Sequence, residues 1–321
     1  MMSETPMTSL VGEGHPTVTD YVVVRGAYEH RDCKSTRPVV LFSPPRHIHG
    51  DIWIARLDQS LCQALLDACA PAGENFKPRW SSRCSYAFYR ENAPAGDKYS
   101  FDADNALYAC IALSRIVHPT AVGFERAARV LQWPNGDRQI VPAVQRYLNP
   151  YANVLDPGEN WLLPEDLPVL RDLLDAFHAG QLPPRLASAL WHHEAVARHY
   201  FIDLRWPILT TCLEALVKIK DEKLPSGRFA GSTKVFVDRL LVLASLDASL
   251  AVTEEELRDM YEQRSLLTHG LAFVDLSPAL KSLYRSQERL VRGIIRKALL
   301  DATFRDIFAS DANVAAHLPL R

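Results

Sequence analysis

The sequence lacks several features that would identify a class of protein directly. No apolar run approaches the ~18 residues of a membrane-spanning helix, and the first residues contain no basic segment followed by an apolar one. The six cysteines form no C-x-x-C pair, which favours reduced, buried thiols over disulfides or a zinc site. Neither a glycine-rich phosphate loop nor a serine nucleophile turn is present. We therefore expect a cytoplasmic protein without membrane association.

An excess of positive charge is missing as well. The formal net charge is −2, so any surface that binds nucleic acid has to be a local patch. What the sequence does contain is the composition of a globular protein, with 48% apolar and 23% charged residues. A length of 321 residues allows two domains of ordinary size, each with a buried core.

The first half of the chain shows mixed patterns. Residues 1–18 are polar and predict a disordered lead. Runs of β-branched and aromatic residues predict three strands, at 19–30, 37–44 and 51–57. Helical spacing of apolar residues predicts one helix that begins near residue 59 and another at 104–117. The segment 121–163 combines a possible helix, GFERAARVL, with irregular chain, and it predicts a surface excursion.

The second half shows helical spacing almost throughout. The predicted helices are 164–178, 184–202, 203–220, 232–248, 253–269 and 277–304. We place a domain boundary near residue 180, where glycine and proline interrupt the pattern. The sequence therefore predicts an α+β N-terminal domain of unknown role over 1–180 and an all-α helical bundle over 181–321. The protein should be mainly α overall.

The helix predicted at 253–269 carries the most informative residues. Thr253 and Glu256 form a capping-box pattern that fixes its start. Arg264 falls on the packing face, and His269 lies at the end, where Gly270 can adopt a left-handed conformation and stop the helix. An arginine that stays charged, next to a histidine that titrates near neutral pH, is suited to chemistry on a phosphodiester.

Spacing alone gives this pair little weight. Arg171 precedes His178, and Arg185 precedes His192, at similar distances along the chain. The pair at 264 and 269 differs from them in its setting, because it combines a capped helix, an inward arginine and a glycine stop directly after the histidine. The setting, not the spacing, makes it a candidate site.

In this setting the C-terminal half resembles the Apea-like branch of the HEPN superfamily, whose motif is an arginine and a histidine four to six residues apart at a helix end. The similar segments are ArgTrp at 205–206, CLEAL at 212–216, TyrGluGlnArgSer at 261–265, ThrHisGly at 268–270, the long basic final helix and ALSRIVHPT at 112–120. The resemblance covers residues 185–310 well and 100–184 weakly.

The resemblance implies a HEPN-type bundle that forms a homodimer in which two motifs face each other across a cleft. It implies a metal-independent endoribonuclease without a cofactor, with Arg264 and His269 as the catalytic pair and Ser265 and Glu214 as supporting residues. The expected products carry 2′,3′-cyclic phosphate and 5′-OH ends, and DNA should resist because it lacks the 2′-OH. Many members act in antiphage defence or toxin-like growth arrest, so we expect such a role here.

Basic side chains recur at steps of three and four along the predicted final helix, at Lys281, Arg285, Arg289, Arg292 and Arg296. They form the kind of local patch that the net charge conceals, and such a patch can contact RNA. A stripe of charges is also typical of a helix face that is simply solvated. Both interpretations remain open from the sequence.

Other interpretations also remain open. Glu214 could support the catalytic pair or only neutralise Arg264 or Arg205. A metal site is suggested by a group of four side chains, His192, His193, Glu194 and His199, but the H-E-x-x-H spacing is absent and we predict no metal. The alternative function is a non-catalytic RNA- or nucleotide-binding HEPN dimer with a regulatory N-terminal domain. That domain could receive an activating ligand or phage factor.

Overall fold

The computed structural model describes residues 15–25, 42–68, 86–93, 100–101, 106–118, 123–142, 144–145, 162–180, 182–197, 199, 202–224, 227–270 and 277–320. Over these residues the chain is mainly α-helical, and a β-sheet with accompanying helices occupies its first half. The predicted combination of an α+β N-terminal region with a mainly helical remainder is confirmed at this level. The HEPN-type arrangement of the helices stays a prediction.

The described strands, in chain order, are β1 (Thr17–Arg25), β2 (Arg46–His49), β3 (Ile52–Arg56), β4 (Tyr86–Glu91), β5 (Ser100–Phe101), β6 (Gly123–Gln132), β7 (Arg138–Pro142) and β8 (Val144–Gln145). Six of them form an antiparallel sheet in the order β2-β3-β4-β1-β6-β7, and β5 pairs with β8 in parallel.

Predicted and observed strands agree in part. The strands expected at 19–30 and 51–57 are confirmed by β1 and β3, although residues 26–41 lie outside the described residues. Residues 42–44, the described end of the strand expected at 37–44, form bends instead. Thr17 and Val18 belong to β1 and not to the expected disordered lead, of which residues 1–14 lie outside the description. Strand β4 was not predicted.

The expectation for 121–163 was wrong in its described part, because GFERAARVL forms the interior strand β6 and not a helix or a surface excursion. Alanine and arginine favour helices intrinsically, but pairing with β1 and β7 overrides that preference. Ala127 packs in the large core and Ala128 packs on the opposite face, so both faces of the strand are covered. Arg129 is buried, and its charge is compensated there because it donates two hydrogen bonds to Asp20, at 2.8 and 3.0 Å.

The described α-helices are α1 (Gln59–Ala68), α2 (Ala106–Val117), α3 (Leu167–His178), α4 (Pro184–Val196), α5 (Ile202–Val217), α6 (Ser232–Ser245), α7 (Glu254–Thr268), α8 (Pro278–Leu300), α9 (Ala302–Asp306) and α10 (Asp311–His317). Short 3-10 helices lie at Pro164–Asp166 and Ala248–Leu250.

The helices expected from the sequence are confirmed, but several of their ends differ by three residues or more: α3 begins at Leu167, α5 ends at Val217 and α6 ends at Ser245. The helix expected at 184–202 ends at Val196. The helix expected at 277–304 divides at Asp301, whose carboxylate accepts hydrogen bonds from the N–H groups of Thr303 and Phe304 and so caps α9. Helix α10 was not predicted.

One hydrophobic core joins the sheet to the helices. It includes Val22 and Phe88 on one face of the sheet, Ile111 of α2, Leu170 of α3 and Ile294 of α8. Helix α1 covers the other face, where Leu65 packs in a second, smaller cluster. The predicted boundary near residue 180 falls between α3 and α4, and residues from both sides of it belong to the same large core. The division into two domains stays a prediction.

The cysteines within the described residues are free and buried, namely Cys62, Cys110 and Cys212. Burial raises the pKa of the Cys62 thiol to about 11, and it raises the pKa of the other two thiols further. The prediction of reduced, buried thiols is confirmed for these three. Cys33, Cys69 and Cys84 lie outside the described residues.

Candidate active site at the end of helix α7

Helix α7 begins and ends where its sequence predicts. The Oγ1 of Thr253 accepts a hydrogen bond from Glu256 N–H at 3.1 Å, and Thr253 N–H donates to the Glu256 carboxylate at 2.9 Å, which completes the capping box. At the other end Gly270 has a φ of +66°, a conformation that costs a glycine little. His269 is the last residue before this stop, and its N–H donates to the Ser265 carbonyl at 3.1 Å.

Helix α5 holds the inner side of α7. Trp206 is fully buried, and its indole N–H donates to the Met260 carbonyl at 3.2 Å. Further along α5, a Glu214 carboxylate oxygen lies 3.6 Å from a terminal nitrogen of Arg264. The hydrogen bond from Trp206 therefore holds α7 against α5, and the ion pair with Glu214 fixes the position of Arg264.

The Arg264 side chain is directed inward without being enclosed. It is 27% exposed, and the carbon of its guanidinium lies 5.7 Å from the centre of the Tyr261 ring. Its Nε is buried and donates no hydrogen bond to any described residue. Arg264 and Glu214 form an ion pair, but their separation of 3.6 Å is longer than a hydrogen bond. The terminal nitrogens of this partly exposed guanidinium donate no hydrogen bond to any described residue, so they remain available to an anion.

Glu214 is shared between two cations. Its other oxygen accepts a hydrogen bond from Lys218 Nζ at 2.7 Å, and that nitrogen lies 5.9 Å from the same Tyr261 ring. One carboxylate thus faces two positive charges. Together Glu214, Lys218 and Arg264 carry a net charge of one positive unit. The sequence left open whether Glu214 neutralises Arg264 or Arg205. It contacts Arg264, while Arg205 lies 5.5 Å from the Tyr284 ring.

His269 differs from Arg264 in its surroundings. It is exposed, one residue beyond the last residue of α7, whereas Arg264 points to Glu214 and Tyr261. Ser265 is partly buried, and its carbonyl accepts the His269 N–H. We call Glu214, Lys218, Tyr261, Arg264 and His269 the α7 site.

Lys218 and Tyr261 were not predicted as members of this site. Both had a signal in the sequence, because Lys218 follows Glu214 by four positions and Tyr261 precedes Arg264 by three. Residues at these separations are neighbours on a helix surface. Helical spacing from Glu214 therefore indicates Lys218, and helical spacing from Arg264 indicates Tyr261.

The basic stripe expected on α8 is not uniform. Arg285 and Arg289 are exposed, and Lys281 and Arg296 are partly exposed. Arg292 is only 18% exposed, since it donates to the Val117 carbonyl at 3.4 Å and forms an ion pair with Glu288 at 3.3 Å. The exposed part of the stripe is therefore centred on Arg285 and Arg289, while Arg292 joins α8 to α2.

The histidine-rich part of α4 belongs to a second group of charges. Glu194 forms a buried ion pair with Arg115 of α2 and accepts a hydrogen bond from the Tyr108 hydroxyl at 3.3 Å. His193 lies 3.5 Å from Glu288 of α8, and burial raises the pKa of the nearby Tyr284 to about 12. We call this group the buried cluster; its members are Tyr108, Arg115, His193, Glu194, Glu288 and Arg292.

These contacts bear on the metal interpretation of α4. His193 and Glu194 point to different partners on α8 and α2, and His192 Nδ1 lies 2.7 Å from the Ser188 carbonyl of its own helix. Over the residues that the structure describes, no group of three or more histidine, cysteine, aspartate or glutamate side chains is arranged to hold a metal ion.

Comparison with protein-family models, with curated proteins and with solved structures finds no match to this chain. None of the described helices is both long and apolar enough to cross a membrane. Inference about function therefore starts from the side chains of the α7 site.

Proposed function

We propose that this chain is a metal-independent endoribonuclease of the Apea-like HEPN type, with Arg264 and His269 as its catalytic residues. The observation that carries the proposal is the α7 site: an arginine oriented by Tyr261 and Glu214, on a helix that stops directly after an exposed histidine. A charged fork with unused donors suits a phosphate, and an exposed imidazole suits proton transfer.

The reaction balances without an external reagent. The ribose 2′-oxygen attacks phosphorus and gives up its proton to a base, and the bond from phosphorus to the 5′-oxygen breaks as that oxygen takes a proton from an acid. Arg264 would stabilise the negative charge that develops on the phosphate. The products are a 2′,3′-cyclic phosphate and a 5′-OH end, and DNA is not a substrate because it lacks the attacking oxygen.

The need for both a base and an acid supports a homodimer. One α7 site supplies one histidine, which can fill one of the two roles in a single step. Two copies of the site, facing each other, would supply both. We therefore propose a composite site at a dimer interface, and we expect the cleavage rate per chain to fall on dilution below the dissociation constant of the dimer.

The decisive experiment compares RNA cleavage by wild type, His269→Ala and Arg264→Ala in the presence of EDTA. We expect each substitution to lower the rate about 100-fold or more, the loss typical of a removed catalytic donor or base. Arg258→Ala is the matched control, because Arg258 is an exposed arginine of the same helix that pairs only locally with Glu254. Equal rates for wild type and His269→Ala would falsify the proposal.

An RNA-binding role without cleavage is the second candidate, and the exposed Arg285 and Arg289 on α8 favour it. It predicts a salt-sensitive complex with RNA that is never cut.

For either function we propose a role in antiphage defence or growth arrest, with the N-terminal region receiving an activating ligand or phage factor. Expression of wild type and His269→Ala in growing cells would test this role, since only a nuclease should arrest growth through His269.

A further inference from the structure

A short hairpin follows α5 directly. Lys223 and Phe229 form a β-bridge, the Leu224 N–H donates to the Arg228 carbonyl at 2.8 Å, and the Ala230 N–H donates to the Glu222 carbonyl at 2.9 Å. We call the described residues 222–224 and 227–230 the α5–α6 hairpin. Its base is tied to the end of α5, because Arg239 of α6 donates to the Val217 carbonyl at 2.7 Å and forms an ion pair with Glu222.

The hairpin presents an aromatic ring to solvent. Phe229 is 68% exposed, more than the other exposed large apolar residues of the described chain, of which Leu246 at 53% is the next. Lys223 Nζ lies 5.5 Å from the centre of the ring. Burying a phenylalanine side chain stabilises a fold, so an exposed ring gives up that contribution. A cation held beside an open ring suits a ligand that is both planar and anionic.

The charges around the ring are mainly positive. Lys220, Lys223 and Arg228 are exposed, and none of them forms an ion pair with a carboxylate in the part of the chain that the structure describes. Of the nearby acids, Glu222 pairs with the buried Arg239, which leaves the exposed Asp221 as the opposing charge. The hairpin is therefore a positive patch on a chain whose net charge is −2.

The patch lies at the end of α5 that contacts the α7 site. Lys218 donates to Glu214 and lies against Tyr261, and the chain then continues through Lys220 into the hairpin. Glu214 in turn faces Arg264. Lys218, which contacts Glu214 and Tyr261 of the α7 site, thus precedes the first basic residue of the patch, Lys220, by two positions along the chain.

We propose that the α5–α6 hairpin binds single-stranded RNA, with Phe229 stacked on an unpaired base and Lys223 and Arg228 contacting phosphates. The inference rests on the proposed function for the identity of the nucleic acid. An unpaired base is required because a ring can reach the face of a base only outside a duplex. The hairpin thus selects unpaired RNA and delivers the strand to Arg264.

The experiment measures RNA affinity in the His269→Ala background, so that binding is read without cleavage. The probe is a short fluorescent single strand of mixed sequence, compared with the duplex that it forms with its complement. We expect Phe229→Ala to weaken binding of the single strand about 10-fold and Phe229→Trp to retain it. Leu246→Ala is the matched control for removal of an exposed apolar side chain, and it should leave affinity unchanged.

The charge contribution has a separate signature. Replacing both Lys223 and Arg228 by Gln should lower the slope of log affinity against log salt by about 1.4, since each phosphate contact contributes about 0.7 for a single strand. The affinity for the duplex should change less than the affinity for the single strand. An unchanged slope would show that these two residues do not contact phosphate and would overturn their assignment.

Failure of this inference is distinct from failure of the proposed function. If wild type cuts RNA through His269 while Phe229→Ala and Leu246→Ala bind the single strand equally well, the hairpin is not an RNA site. If Phe229→Ala changes the molar mass of the protein in solution but not its RNA affinity, the ring belongs to a contact between chains. That result would also overturn the proposal that the hairpin binds RNA. If RNA is bound through Phe229 but never cut, the hairpin assignment stands and the nuclease proposal fails.

Discussion

Glu194 and Glu214 each face an arginine in the helical part of the chain, yet their surroundings differ. Glu194 and Arg115 are 2% and 6% exposed, and their ion pair joins α4 to α2. Glu214 is 11% exposed and its partner Arg264 is 27% exposed, at a separation too long for a hydrogen bond. The first pair is closed to solvent, whereas the second is partly open to it.

The difference separates structural charges from charges that can act on a ligand. Removing one partner of a buried pair leaves the other charge without water or a counter-ion, and stability falls strongly. Removing one partner of a partly exposed pair changes stability little, because water screens the remaining charge. The buried cluster should therefore govern folding and the α7 site should govern activity. Four substitutions test this contrast, in order of decreasing expected effect.

The largest effect is expected from Arg115→Ala, which would remove the cation that pairs with the buried Glu194. The free energy of unfolding should fall by about 3–5 kcal/mol, measured by urea denaturation. The comparison is Arg264→Ala, for which a loss below about 1 kcal/mol is expected. Similar losses for the two variants would contradict the proposed division between the clusters.

The next effect concerns activity at the α7 site. Arg264→Lys keeps the positive charge but loses the planar fork that we propose binds two phosphate oxygens, so RNA cleavage should fall about 100-fold. The free energy of unfolding should change by less than about 1 kcal/mol, because the ion pair with Glu214 is partly exposed. Cleavage rates and urea midpoints of the same preparations test both statements. A fully active Arg264→Lys would mean that charge alone suffices.

A smaller effect is expected from the backbone that ends α7. Gly270→Ala meets no steric obstacle, yet it places a Cβ on a residue with φ +66°. The strain should lower the free energy of unfolding by about 1 kcal/mol. Gly180→Ala is the control, since that glycine is equally open and has no positive φ. If both variants are equally stable, the left-handed stop at Gly270 does not contribute to stability.

The smallest effect is a dependence on pH that arises in the buried cluster. Burial opposes ionisation of Glu288, but His193 and the charges of Arg292 and Arg205 outweigh it and hold the pKa of Glu288 below its usual value. A lowered pKa stabilises the fold above the pKa of the unfolded chain, about 4.3, and this contribution is lost as the pH falls through the folded pKa. Wild type should therefore lose its advantage over Glu288→Gln in acid.

Urea denaturation of both proteins from neutral pH to about pH 3.5 measures this difference. The two stability curves should converge as the pH falls. Curves that stay parallel over the whole range would show that Glu288 contributes nothing to acid sensitivity.

The sequence predicted most of α7 and little of the sheet, for a physical reason. The start of α7 depends on Thr253 and Glu256 and its end on Gly270, and all three act on neighbours along the chain. Strand β6 depends on residues far along the chain. Ala127 and Ala128 pack in clusters on opposite faces, and the buried Arg129 pairs with Asp20 of β1. Local signals are visible in a sequence, whereas long-range pairing is not.

The same distinction applies within the α7 site. The inward position of Arg264 followed from helical spacing, whereas the sequence left open whether Glu214 pairs with Arg264 or with Arg205. The contact of Lys218 with the Tyr261 ring depends on how α5 crosses α7, which no single-helix pattern contains. The inward turn of Arg292 likewise depends on Val117 of α2.

The core that crosses residue 180 also determines how a signal could reach the α7 site. Because α2 and α3 share that core with α8, a ligand at the sheet would act by shifting packed helices and not by releasing a detached module. Removal of residues 1–180 would expose the apolar faces that α2 and α3 now cover. Regulation, if it arises in the N-terminal region, would be transmitted as strain through one continuous interior.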